Sequence, residues 1–292
     1  MLKGSIVAMV TPFNADGIIN EQRFKFLLNW HIDNKSDAIL ICGTTGESAT
    51  LTHPEHRKLM DIAVDEVRGR VPVIAGCGSN STHEALELAR HAKKVGADYA
   101  LVITPYYNKP SQEGLYQHFK AIALEVDIPI IVYNVPSRTG SNILPSTVAR
   151  LYKDCSNIVG IKEASGNLDQ ITQLMSLVDE DFLLFSGSDE VTLPILSLGG
   201  SGVISVVANV MPKETHNLVK LCLEGKAKEA RRQQFYLYAL IKALFMETNP
   251  IPVKTALGLM GLIEPHLRLP LYKMSDANLA KLKEILKEYR LI

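Results

Sequence analysis

The sequence has no surplus of charge of either sign: 31 basic residues stand against 31 acidic ones in 292. Nucleic acid and anionic membranes are bound through a basic excess, so this balance argues against both as the main partner. Cysteine is scarce. Cys42, Cys77, Cys155 and Cys222 lie far apart with no C-x-x-C pair, which speaks against a disulfide framework or a zinc site and for reduced thiols in the cytoplasm. Long apolar runs are missing as well. The uncharged stretch from Val191 to Met211 has the length of a membrane span, but Pro194, Gly199, Gly200, Gly202 and Asn209 divide it into a helix-like and a strand-like piece. The apolar start, Met1 to Val10, is short and runs into Thr11-Pro12-Phe13 without a small-residue cleavage site, so it reads as a first strand and not a secretory leader. Asn80-Ser81-Thr82 matches a glycosylation sequon but reads as a helix start. No low-complexity segment or flexible linker divides the chain.

What the sequence does have is a large apolar fraction, 47%, enough for an extensive core. Eight apolar segments recur at intervals of roughly 20 to 34 residues, the spacing of β-loop-α units. They are Ser5–Val10, Ala38–Cys42, Pro72–Ala75, Tyr99–Ile103, Pro129–Asn134, Ile158–Lys162, Phe182–Phe185 and Gly202–Val206. Most are continuously apolar, as parallel strands covered on both faces are. Helix starts lie between them: Thr52 with Glu55, and Ser81 with Glu84, are spaced as capping boxes. The expected fold is an α/β (β/α)8 barrel. A doubly wound sheet would place a glycine-rich loop after the first strand, where Thr11-Pro12-Phe13 stands. Beyond Met211 the pattern becomes all-helical, at Pro212–Leu223, Ala227–Phe245, Pro252–Met260 and Asp276–Tyr289. We therefore expect a catalytic barrel over 1–223 and a helical extension packed on it over 224–292.

Active sites of such barrels lie at the C-terminal strand ends, and there the sequence carries chemistry. Lys162 ends the sixth apolar run, Ile158-Val159-Gly160-Ile161-Lys162-Glu163. Burial there would lower its pKa and free the amine for Schiff-base formation; alternatively its stem packs and its ammonium snorkels to water. Tyr133 ends the fifth run and reads either as a proton-transfer group or as a core tyrosine. Gly43-Thr44-Thr45-Gly46-Glu47 follows the second run, and can either present N–H groups and hydroxyls to a small carboxylate or simply make a tight turn. Arg138 reads as a carboxylate clamp or as a surface loop arginine. Lys254, also in apolar company, falls in the helical tail and is expected to snorkel. His53 and His56 are spaced for a metal but lack nearby carboxylates or cysteines. No Ser-His-Asp arrangement or Walker-type loop is visible.

Taken together, Gly43 to Glu47, Tyr133-Asn134-Val135-Pro136-Ser137-Arg138-Thr139-Gly140 and Gly160-Ile161-Lys162-Glu163-Ala164 resemble the dihydrodipicolinate synthases, or 4-hydroxy-tetrahydrodipicolinate synthases, of the pyruvate-dependent Schiff-base aldolases. The resemblance spans nearly the whole chain, from Gly4 through Lys254. It implies that pyruvate forms an imine with Lys162 and that the derived enamine attacks aspartate semialdehyde. It implies Tyr133 as proton-transfer residue, with Thr45 and a Tyr107 from a neighbouring subunit completing a hydroxyl relay. Arg138 would hold the semialdehyde carboxylate, and Thr44, Thr45, Gly187 and Ile204 would line the pyruvate site. No metal and no cofactor are implied. The assembly implied is a homotetramer of two tight dimers. Ser48, Ala49, His53, His56, Asn80, Glu84 and Tyr106 match positions that bind L-lysine as effector in lysine-sensitive members. Read by themselves, Glu84 closes a capping box and the histidines lie on a solvated helix start. Two rival readings are a sister aldolase (an N-acetylneuraminate lyase or a keto-deoxy-sugar-acid aldolase), against which Arg138 argues, and a non-catalytic binding protein, against which Lys162 and Tyr133 argue.

Overall fold

Strands and helices alternate from the first residues onward; the computed structural model describes residues 2–292. In chain order they are β1 (Gly4–Ala8), α1 (Glu21–Asp33), β2 (Ala38–Ile41), α2 (His53–Val67), β3 (Val73–Gly76), α3 (Thr82–Val95), β4 (Tyr99–Ile103) and α4 (Gln112–Glu125). There follow β5 (Ile130–Asn134), α5 (Pro136–Thr139), α6 (Pro145–Asp154), β6 (Ile158–Glu163), α7 (Leu168–Met175), β7 (Leu183–Ser186), α8 (Thr192–Ser197) and β8 (Gly202–Ser205). The chain then runs through α9 (Pro212–Leu223), α10 (Ala227–Leu244), α11 (Ile251–Leu259) and α12 (Asp276–Glu288). All eight strands are parallel, and β8 pairs with β1 to close the barrel.

The barrel closes because each strand carries two apolar faces. One set, including Ile6, Leu40, Ile74, Leu101, Ile131, Phe185 and Ile204, fills the lumen. The alternate set, including Val7, Ile39, Val102, Val132 and Leu184, packs under the surrounding helices. The strands lie where the apolar runs predicted, with ends displaced by one or two residues; β6 runs one residue past Lys162 to Glu163. The uncharged stretch from Val191 to Met211 holds α8 and β8. Among the described residues no helix is long and apolar enough to cross a membrane.

Three local expectations fail for identifiable reasons. Thr52 and Glu55 do form a capping box at α2, but Glu84 does not close one at α3. Ser81 accepts the Glu84 N–H, while the Glu84 carboxylate accepts the Ser79 hydroxyl at 2.6 Å instead. His56 is not solvated: it is 6% exposed and its Nε2 lies 2.7 Å from the Gly76 carbonyl, because α2 docks along the end of β3. Lys254 does not snorkel. The first turns of α11 lie against the loop after β2, and the Lys254 Nζ donates to Glu47 Oε1 at 2.6 Å with both side chains at zero exposure.

Candidate active site

Lys162 is in register with Tyr133 of β5 on one side and Phe185 of β7 on the other. Both neighbours belong to the lumen set, so the pleat aims the lysine inward. Its Nζ lies 4.2 Å from the Tyr133 ring centroid, and the residue is 6% exposed. Burial drives the pKa from 10.5 down to about 7; the Asp189 charge pulls it up and the Arg138 charge pushes it further down. Burial therefore disfavours the ammonium, relative to an exposed lysine, by roughly 5 kcal/mol at about 1.4 kcal/mol per unit. Near pH 7 about half the amines are neutral and nucleophilic, where an ordinary lysine offers about one in 2,500.

Space beside the amine comes from Gly187, in the loop after β7. A β-carbon there would sit 2.6 Å from the Ala164 Cβ and 3.2 Å from the Lys162 Cε. We expect Gly187→Ala to fold but to slow pyruvate capture at Lys162 by at least about 10-fold, since a reacting carbon must approach along the side the methyl would fill. Stopped-flow trapping against wild type measures this. Ile204, buried on β8, lines the lumen. Asp189 accepts the Ser205 hydroxyl at 2.5 Å and the N–H groups of Val206 and Val207 at 3.0 and 3.3 Å. Burial raises its pKa while those three bonds and Lys162 lower it. No local pattern marks this carboxylate; only the fold sets its charge near the lysine.

The Tyr133 phenol is raised above its usual pKa by burial, opposed by Arg138 and by hydrogen bonding with Thr44. Of the two threonines, Thr44 is the one whose hydrogen bonding bears on Tyr133, while the Thr45 hydroxyl named for the relay accepts from Asn249 Nδ2 at 3.0 Å. Arg138, on the short helix α5, donates from a terminal nitrogen to the Asn249 carbonyl at 3.1 Å. Asn249 thus touches both the Thr-Thr turn and the arginine, though it belongs to the helical tail, where the pattern of apolar spacing carried no hint of it.

Tyr107 is not drawn into the cluster. It is 89% exposed and has a left-handed backbone at φ 72°, held to the Thr139 carbonyl through its N–H at 3.3 Å. A bulky residue in that region is strained by about 1–3 kcal/mol. Six of the seven effector positions, Ser48, Ala49, His53, His56, Glu84 and Tyr106, line one cavity of about 480 Å³, together with Thr44, Arg138 and Asn249. Asn80 does not line it; its carbonyl accepts from Asn108. His53 Nε2 stands 4.0 Å from Glu84 Oε1. Burial lowers the His56 pKa, so that ring is a neutral donor to Gly76. Among the described residues no cluster of three or more histidines, cysteines or carboxylates is spaced to hold a metal ion.

A near-neutral lumen lysine under a tyrosine, at the C-terminal mouth of a closed parallel barrel, defines a Schiff-base-forming aldolase site. Comparison with known proteins narrows the class. The family model described as "Dihydrodipicolinate synthetase family" matches residues 1–289. A 4-hydroxy-tetrahydrodipicolinate synthase of a Sulfurihydrogenibium species is 55% identical over the full length of both chains. The crystal structure of dihydrodipicolinate synthase from Aquifex aeolicus superposes with a TM-score of 0.98 at 52% identity, covering 99% of each chain. That of the Cyanidioschyzon merolae enzyme with lysine bound gives 0.96 at 41% identity, again covering 99% of each. The chain belongs to the dihydrodipicolinate synthetase family.

Proposed function

We infer that the protein condenses pyruvate with L-aspartate 4-semialdehyde to 4-hydroxy-tetrahydrodipicolinate, the activity by which its relatives are named. The observation that carries this reading is the buried Lys162 amine with a pKa of about 7. The neutral amine adds to the pyruvate keto carbon, and water leaves to give an iminium. Loss of a methyl proton gives an enamine, because the iminium nitrogen takes up the electron pair. The enamine carbon attacks the aldehyde of the second substrate. That substrate's own amine then adds to the imine carbon, closes the ring and expels Lys162. Each step moves a proton, and Tyr133 with Thr44 supplies a hydroxyl path for it. Arg138 is suited to hold the semialdehyde carboxylate, and Thr45, Gly187 and Ile204 to border the pyruvate.

Borohydride reduction with pyruvate, followed by peptide mapping, tests the reading. The pyruvyl adduct is expected on the peptide holding Lys162, with turnover on aspartate semialdehyde and not on sugar aldehydes; an adduct elsewhere sinks it. The trapping rate is expected to rise with pH through about 7 and to level off above, following the neutral fraction of the amine. A profile still rising toward pH 10 would mean an unperturbed lysine.

On this reading residues 1–223 form the catalytic barrel and 224–292 an extension that clamps its mouth. The assembly we propose is a homotetramer in the cytoplasm. Tyr107 fits as the residue given to a neighbour's relay: its side chain is 89% exposed, on left-handed backbone, and stands outside its own cluster. Exposed Phe235, Tyr236 and Tyr238 on α10 offer a second apolar contact. L-lysine is the proposed effector, held by Glu84 and His53 around the cavity that also reaches Thr44 and Arg138.

A further inference from the structure

Among the described residues, Glu47 and Lys254 form the one ion pair with both side chains at zero exposure. Burying two charges gains little over apolar isosteres of the same size, and often less than nothing. Stability is thus a poor reason for keeping the pair, and its location suggests another.

Glu47 directly follows the Thr44-Thr45-Gly46 turn, and its N–H donates to the Thr44 carbonyl at 3.1 Å. Its backbone is left-handed, at φ 56°, a conformation that a non-glycine residue holds only when its surroundings impose it. Its Oε1 accepts from Lys254 of α11 and its Oε2 from the Arg268 N–H at 3.1 Å. The Lys254 Nζ and the Arg268 guanidinium both lie over the Phe13 ring, at 4.2 and 4.4 Å. Arg268 in turn grips Glu55, the first-turn glutamate of α2, with both terminal nitrogens. The same tail segment ties down Thr45 through Asn249. The turn is therefore fastened at two points, its Thr45 hydroxyl to Asn249 just ahead of α11 and its Glu47 carboxylate to Lys254 within α11.

We propose that Lys254 is a positioning residue for the reaction: paired with Glu47, it fixes the Thr44-Thr45 turn at the mouth of the barrel. This rests on the relay described under the proposed function. The direct test is the double variant Glu47→Gln/Lys254→Met in the full-length protein, which removes both charges and keeps both chain lengths. We expect a melting temperature within about 5 °C of wild type. Borohydride trapping of pyruvate on Lys162 should be intact, with a pyruvate KM within about threefold and kcat lowered by at least about 10-fold, because a displaced hydroxyl hinders the proton steps and not the capture. A double variant with wild-type kcat overturns the proposal, since the pair is then idle. One that does not fold overturns it as well, since the pair is then structural. A fall in kcat matched by a fall in trapping also counts against it, because Lys162 itself was then disturbed. Failure of the underlying reading is separate: wild type would show no adduct on Lys162 at all.

Discussion

Lys162→Ala is expected to abolish borohydride trapping of pyruvate and to lower kcat by at least about 10⁴-fold, the order of loss seen when a covalent nucleophile is removed. No other amine can take over. Lys254 is also buried, with a pKa lowered by burial to about 8, but the Glu47 carboxylate holds its ammonium at 2.6 Å. The same lysine leaves a mark on stability. Its folded pKa of about 7 lies below the unfolded value of 10.5, so across that window the unfolded chain binds more protons and stability rises with pH. The penalty is full below about pH 7 and gone above about pH 10.5. Lys162→Met keeps most of the packing and lacks that dependence. Its melting temperature should exceed that of wild type by more at about pH 6 than at about pH 9. An equal offset at both values would mean that the amine carries no burial penalty.

The architecture was legible because barrel strands are buried on both faces and so read as short apolar runs with nothing to imitate them. Lys162 stood out for the same reason, as a charge at the end of such a run. What the sequence hid were contacts between distant segments. Glu47 meets Lys254, and Thr45 meets Asn249, only once α11 has settled on the mouth of the barrel. No local pattern encodes where a tail docks. The choice between Thr44 and Thr45 was hidden at a finer scale. Two adjacent threonines on one turn differ in which way the backbone points them, and their order along the chain does not show it. The Glu84 capping box failed because a nearer hydroxyl, that of Ser79, competed for the carboxylate. Spacing identifies a candidate partner but does not weigh its rivals.

That difference between the two threonines is open to measurement. Tyr133→Phe is expected to cost about 10²- to 10³-fold in kcat, the range for loss of a positioned acid or base. Its ring remains over Lys162, so a smaller loss is expected in trapping than in turnover. If Thr44 is the hydroxyl next in the path, Thr44→Val should fall chiefly in kcat, by about 10²-fold. Combined with Tyr133→Phe it should then add little, because residues acting as one unit are not additive. Thr45→Val removes a hydroxyl already occupied by Asn249 and suited to border the pyruvate. Its effect should lie mainly in the pyruvate KM, raised by about 10-fold, with kcat within about threefold. The reverse pattern, with Thr45→Val losing turnover and Thr44→Val losing affinity, would return Thr45 to the relay and make the contact between Thr44 and Tyr133 incidental.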